Sequence, residues 1–300
     1  MDIPYTVSAR PDTGLYNGKL GIWLFLASEV MLFGAIFTSY LFVRLGADDG
    51  SWPNHVQNVW LGLTNTILLL ASSITMVLAW VGLKERKFNT YWWALAATIV
   101  LGVAFLAIKG VEYHAKWIHW GFFINEDAFV KKYKDDLDKD NYFYSYIPQQ
   151  HCYEVRGHLI NRDELIANNQ LKAGPYTVLP DKAPGFAINA GQHTGPSFNT
   201  VSDEEDPKIS IDPKDIDPLR GYGRLLPAYG TYYAVYFLVT GLHALHIVGG
   251  VVVMTYFLTI GSRLYRRNPE QLSNRIEVTG IFWHFVDLVW ITVFPILYLT

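Results

Sequence analysis

Two short strings hold the residues with chemistry to offer, GLHALHIVGG at 241–250 and GIFWHFVDLVW at 280–290. Both sit inside long apolar runs. Yet they carry His243, His246, His284 and Asp287, groups that cost several kcal/mol when left unpaired in hydrocarbon. Helical spacing puts His243 and His246 at i, i+3, and Glu277, His284 and Asp287 at i, i+7 and i+10, one polar stripe per helix. A third run, GIWLFLASEVMLFGAIF, places Glu29 roughly 14 Å along its helix, close to the middle of a bilayer. A carboxylate at that depth marks a functional site or a protonated packing residue, and either way it faces protein. On their helices, His246, Glu29 and His284 fall at depths of roughly 12–21 Å, so the three can approach one another. Such a lattice reads as a non-catalytic core that binds lipid or a partner subunit, with a bound metal as the alternative. Bundle metal sites set a carboxylate and a histidine at i, i+3 on one helix and repeat the unit. Here the histidines pair with each other, and no metal site is expected.

The elements that must position this lattice are membrane helices. Five runs reach the roughly 20 apolar residues needed to span: about 19–43, 59–83, 91–108, 228–260 and 276–299. Overall composition, with 51% hydrophobic and 15% aromatic residues, hides this division into very apolar and very polar blocks. The first run is too long for a signal-peptide core and is expected to be retained. Asn58, Asn65 and Ser72 recur every seven residues in the second run, beside Thr64, Ser73 and Thr75, as close-packed helices require. Tyr91, Trp92 and Trp93 at one end of the third run, and Trp117 and Trp120 at the other, read as interfacial belts. Lys109 and Glu112 lie near the outer end of that run. They read either as a snorkelling lysine or as an i, i+3 ion pair.

Basic residues fix the expected orientation. Arg10 and Lys19, then Lys84, Arg86 and Lys87, then Arg263, Arg266, Arg267 and Arg275 all fall on one side of the alternation. The positive-inside rule makes that side cytoplasmic. The chain then divides into a cytoplasmic lead (1–17), helices one to three (18–116), an extracytoplasmic insertion (117–226) and helices four and five (227–300). The insertion and the C-terminus lie outside. Residues 117–225 hold 17 Asp/Glu against 12 Lys/Arg, a balance of −5 against −3 for the whole chain. A segment this long is expected to fold as a small cap. Its first half is aromatic, RDELIANNQ reads as a short helix, and SDEEDPK and IDPKDIDP read as extended. His119, His151, His158 and His193 show no ligand spacing and are expected to be exposed. Cys152 is the single cysteine and reads as a buried small residue. It excludes intrachain disulfides and paired-cysteine metal sites, and no haem-attachment, phosphate-loop or nucleophile motif is present.

Five strings taken in order, SEVMLF, LGLTNTILLLASS, LGVAFLAIKGVEY, GLHALHIVGG and WHFVDLVWITVF, cover every predicted span. In that order they resemble subunit III of the haem–copper terminal oxidases, the cytochrome c oxidase subunit III family. The resemblance implies an all-α polytopic bundle of five transmembrane helices, with the long insertion between helices three and four. It implies a non-catalytic subunit with no redox centre, packed on subunit I beside subunit II and small subunits, with haem and copper in those partners. It further implies structural phospholipids and support of proton uptake and enzyme durability in a bacterial inner membrane. The family's functional positions fall on Glu29, Glu112, His243, His246, Trp283, His284 and Asp287. Members often have seven helices, and this chain has the pattern of the last five. Lys109 stands where Gln is common and Ala244 where Gly is usual. The insertion has no counterpart in the family pattern. It is expected to meet neighbouring subunits, a cytochrome c donor or a respiratory supercomplex partner. The same subunit of a quinol oxidase or nitric oxide reductase, and a stand-alone metal-dependent membrane enzyme or carrier, are the competing readings. Nothing points to nucleic acid.

Overall fold

The computed structural model describes residues 17–47, 59–139, 142, 144–147, 151–168, 170, 174–181, 208–219, 221–223 and 229–298. The lead at 1–16, His193 and the tract SDEEDP at 202–207 lie outside the described residues. Five helices among the described residues are long and apolar enough to cross a membrane: α1 (Asn17–Leu45), α2 (Val59–Lys84), α3 (Phe88–Ile118), α7 (Gly230–Arg267) and α8 (Pro269–Tyr298). This is a multi-pass membrane protein built on a five-helix bundle.

The helices outrun their apolar stretches. α3 continues through KGVEYHAKWI to Ile118, and α8 starts at Pro269, seven residues before the apolar run. Proline is suited to a first helical position because its missing N–H would have no partner there. Asn268 closes that end by accepting from the Gln271 N–H at 3.1 Å. α7, at 38 residues, is about 57 Å long, so it must tilt or protrude.

The chain divides into two compact units. One comprises Met1–Val43, Gly62–Gly110 and Val235–Thr300. Within it α8 is the most enclosed helix, with Ile276, Trp283, Val286, Trp290 and Val293 all buried. α1 buries only Leu26, Phe33 and Tyr40, one residue every two turns, and turns Leu24, Met31 and Phe42 outward as a hydrocarbon surface requires. The Trp283 indole is wedged among helices. A Cβ added at Gly102 of α3 or Gly250 of α7 would come within 2.9 and 2.8 Å of its ring. Those two positions must stay small for the helices to close on the tryptophan.

The other unit comprises Arg44–Leu61 and Val111–Ala234. Its described residues form β1 (Trp120–Asn125), α4 (Glu126–Lys132), α5 (Lys134–Lys139), β2 (Tyr144–Ile147), β3 (Cys152–Leu159), α6 (Arg162–Ala167), β4 (Tyr176–Pro180), β5 (Ile209–Ile211) and β6 (Tyr222–Gly223). The six strands make one antiparallel sheet in the order β5-β4-β3-β1-β6, with β2 also paired to β3. Period-two alternation sends Phe122, Ile124, Val155, Tyr176, Val178, Ile209 and Ile211 to one face. There they pack with Phe129, Tyr133, Leu137 and Leu165. α6 is the short helix expected at RDELIANNQ, and Cys152 is buried, also as expected. The expected extended run at IDPKDIDP includes a strand residue of β5 and a single 3₁₀ turn, Pro213–Asp215.

Candidate functional site

The polar stripes of α7 and α8 each meet α1 at one point, through His246 and Glu277. Glu29 Oε2 lies 3.0 Å from His246 Nε2. The other imidazole nitrogen, Nδ1, lies 2.8 Å from the Leu242 carbonyl oxygen one turn back. A carbonyl oxygen only accepts, so Nδ1 carries a proton. The contact to Glu29 then needs one further proton between carboxyl and imidazole. Whichever group holds it, the pair is neutral as a unit. That suits side chains with only 13% exposure on each partner. Phe33 and Phe282 pack against the His246 ring.

His284 does not join this pair. Its Nδ1 is 2.7 Å from Ser73 Oγ on α2. The neighbouring Trp283 donates its indole N–H to Ser72 Oγ at 3.0 Å, and Ser72 in turn donates to the Leu69 carbonyl at 2.7 Å. Glu277, lower on the same stripe, pairs with Lys19 of α1 at 2.7 Å. Asp287 is 4% exposed, beside the Ser73 hydroxyl that also meets His284. His243 is likewise buried, at 1%, with both ring nitrogens unpartnered among the described residues. It packs against Trp290 and Phe105, with ring centroids 5.3 and 5.6 Å away. The stripe read from spacing is thus real, but α8 spreads it over two neighbours, Glu277 to α1 and His284 to α2. Periodicity fixes which residues share a face of a helix. It does not fix the rotation of the neighbouring helix that meets them.

Lys109 is buried and does not snorkel. It is 4% exposed, donates to the Tyr298 and Tyr236 hydroxyls at 2.8 and 3.0 Å, and lies 5.3 Å from the Trp290 ring centre. Two phenol oxygens and a π face replace water around the ammonium. Sequence reading missed Tyr236 and Tyr298 because aromatic residues in an apolar run carry no local signal of a cation two helices away. Glu112 belongs to the other unit. It is buried, with the Lys116 ammonium one turn on at 3.8 Å. A cavity of about 420 Å³ opens in the five-helix unit between Gly18, Lys19, Val253, Phe257, Asn274, Arg275, Val278 and Thr279. Its walls are mainly apolar, with a lysine and an arginine in the lining.

In the sheet unit the expectation of exposed, scattered histidines fails for His119 and His158. Their side chains are 30% and 29% exposed, and both face Asp181. His119 Nδ1 is 2.7 Å from one carboxyl oxygen and His158 Nδ1 is 3.6 Å from the other. Burial alone pushes the Asp181 carboxyl up, but contacts with the two imidazoles outweigh it and hold the group at about 2. The residues are distant in sequence and are brought together by strand pairing. His151 is exposed, as expected, against Glu126 at 3.0 Å.

A family model described as cytochrome c oxidase subunit III matches residues 11–129 and 226–300. Cytochrome c oxidase subunit 3 of Alkalihalophilus pseudofirmus is 32% identical over 136 residues, 44% of this chain and 66% of that protein. Its Bacillus subtilis counterpart is 35% identical over 127 residues, 41% of this chain and 61% of that protein. A heme-copper oxidase subunit I+III of Aeropyrum pernix is 23% identical over 289 residues, 94% of this chain but 22% of that longer protein. The matched segments contain Glu29, Glu112, His243, His246, His284 and Asp287, and they leave out most of the sheet unit. With well over half of its length matched, this chain belongs to the cytochrome c oxidase subunit III family.

Proposed function

We propose that the chain is a non-catalytic subunit III of a proton-pumping haem–copper cytochrome c oxidase, supporting proton uptake and enzyme durability in aerobic respiration. The observation that carries the reading is the neutral Glu29–His246 pair, set inside a five-helix bundle of this family at the depth where an isolated charge is most costly. The Aeropyrum pernix relative is named as a fusion of subunits I and III, which supports packing on subunit I. The mainly apolar walls of the cavity beside Lys19 and Arg275 support a phospholipid site, where Lys19 is already paired with Glu277. By the positive-inside rule the basic clusters support a cytoplasmic N-terminus and an extracytoplasmic segment 117–226, in this reading in a bacterial inner membrane. With one cysteine the chain cannot build a paired-cysteine copper centre, so electrons pass through partner subunits that hold haem and copper.

The test is to purify the full-length tagged chain from its native membrane in mild detergent and record a visible spectrum. Co-purification of haem with subunits I and II is expected, together with phospholipid that survives washing. Recovery of this chain without any haem-bearing partner overturns the proposal. Lys19→Ala with Arg275→Ala is expected to lower retained phospholipid while leaving the haem spectrum unchanged.

A further inference from the structure

The sheet unit holds three potential metal donors that neither its sequence spacing nor the family match points to. β1 pairs with β3 so that Trp120 lies opposite Gly157, which sets His119 across from His158. β3 pairs with β4 so that Gly157 lies opposite Pro180, which sets Asp181 across from Arg156. Residues directly opposite in an antiparallel ladder project from the same face, and the face alternates at each step along a strand. His119, His158 and Asp181 therefore share the face opposite the one that carries the aromatic core.

Their donor atoms converge accordingly. One ligand atom from each of the three lies within 4.8 Å of the other two, and the imidazole centroids are 4.2 Å apart. Tetrahedral zinc, with bonds of about 2.0–2.2 Å to nitrogen and oxygen, needs donors about 3.3–3.6 Å apart. Small side-chain rotations bridge that difference. The Asp181 N–H is bonded to the Arg156 carbonyl oxygen at 2.9 Å, which fixes the backbone from which the carboxylate projects. Arg156 gives its own Nε–H to Glu154 at 2.5 Å. The histidines are partly exposed, so an ion can reach them.

We propose that His119, His158 and Asp181 form a zinc site that ties β1, β3 and β4 together. Two imidazoles and one carboxylate suit a borderline divalent ion such as zinc, whereas calcium and magnesium favour all-oxygen shells. Three protein ligands leave the fourth position for water. In the metal-free arrangement His119 Nδ1–H donates to Asp181; on binding, the ion takes the place of that hydrogen at Nδ1 and the neutral imidazole keeps its one proton on Nε2. The site clamps the three strands at the end of the sheet where His119 enters β1 and Asp181 leaves β4.

The experiment uses the full-length chain in detergent, expressed without partner subunits so that no other bound metal interferes, and stripped with chelator. Cobalt(II) titration near neutral pH is expected to give one tight equivalent per chain, with the visible bands of a four-coordinate ion that zinc then displaces. Zinc is also expected to raise the melting temperature of the wild type. His158→Gln and Asp181→Asn should each lose the equivalent and the melting shift, while His151→Ala keeps both. The proposal is overturned if the wild type takes up no stoichiometric cobalt. It is equally overturned if the equivalent survives in His158→Gln and Asp181→Asn, since the ligands would then lie elsewhere. Circular dichroism of the metal-free variants separates loss of ligands from loss of fold, and the wild-type titration decides the matter even if a variant misfolds.

Discussion

At the scale of single residues, the Glu29–His246 contact concerns where one proton resides. Because the Leu242 carbonyl already fixes a proton on His246 Nδ1, the pair is either a carboxylic acid donating to imidazole or a carboxylate accepting from imidazolium. Glu29→Gln separates the two. A glutamine amide can donate to a neutral Nε2 as the acid does, but it supplies no charge to hold an imidazolium. For the neutral form, Glu29→Gln is expected to cost well under 1 kcal/mol. Glu29→Ala, which leaves a buried ring nitrogen unpartnered, is expected to cost about 1–3 kcal/mol. Thermal inactivation of the purified protein measures both, and equal losses would identify the ionic form. Residue counts from the helix ends allowed Glu29, His246 and His284 to approach one another, and of these Glu29 and His246 meet while His284 turns to Ser73. The partners of His284 and Lys109 were not legible in the sequence. Ser73, Tyr236 and Tyr298 are ordinary members of their helices, selected by rotations that one sequence does not specify.

At the scale of elements, hydropathy located all five spans but not their ends. α3 and α8 extend into polar sequence, since backbone hydrogen bonding continues where lipid contact stops. The sheet was written in the alternation of CYEVRGHL, with Val155 and Gly157 on one face and Glu154, Arg156 and His158 on the other. Its strands are short and its aromatic residues dense, so the stretch read only as a folded cap. Two predictions belong at this scale. In the bundle, Gly250→Ala drives a methyl group to 2.8 Å from Trp283 and is expected to cost about 1–3 kcal/mol. Trp283→Phe in the same chain is expected to recover part of that loss, so thermal unfolding of the double mutant should show less than the sum of the single effects. In the sheet unit, Asp215 accepts from the Tyr133 hydroxyl at 2.6 Å and from Lys132 at 3.2 Å. Burial raises its carboxyl, but these bonds outweigh it and hold the group below the usual 3.8. A carboxyl lowered by folding stabilises fully above its unfolded value and loses that contribution as pH falls through the folded one. The melting difference between wild type and Asp215→Asn should therefore be steady near neutrality and close as pH drops below about 4. A difference that persists at pH 2 would assign the effect to packing.

At the scale of the whole molecule, the question is what the acidic balance of residues 117–225 does. Much of that charge is locally matched. Lys132 pairs with both Asp212 and Asp215, Arg156 with Glu154, and the Asp217 carboxylate accepts from the Leu219 N–H at 2.8 Å. IDPKDIDP, which reads in sequence as an extended run, is fastened to the sheet: Ile209–Ile211 forms its edge strand and Lys132 holds the turn that follows. Removing it would remove a core strand, so deletion cannot test charge alone. The remaining dense run is Asp203, Glu204, Glu205 and Asp206, outside the described residues. If the proposed oxidase draws in a basic donor through this run, converting all four residues to their amides should slow association. It should also flatten the salt dependence as the Debye length shrinks from about 10 Å at 0.1 M to about 3 Å at 1 M. If the unit serves assembly, its aromatic, well-packed sheet is the part that matters, and four solvated charges are neutral to it. We expect the second outcome, because Glu154, Asp181, Asp212 and Asp215 are held by partners within the sheet unit. The fourfold amide variant should show the wild-type association rate and the wild-type salt slope in rapid-mixing experiments. A core change such as Phe122→Ala should instead lower the yield of assembled oxidase. A flattened slope in the amide variant would reverse this assignment and make the run a steering element.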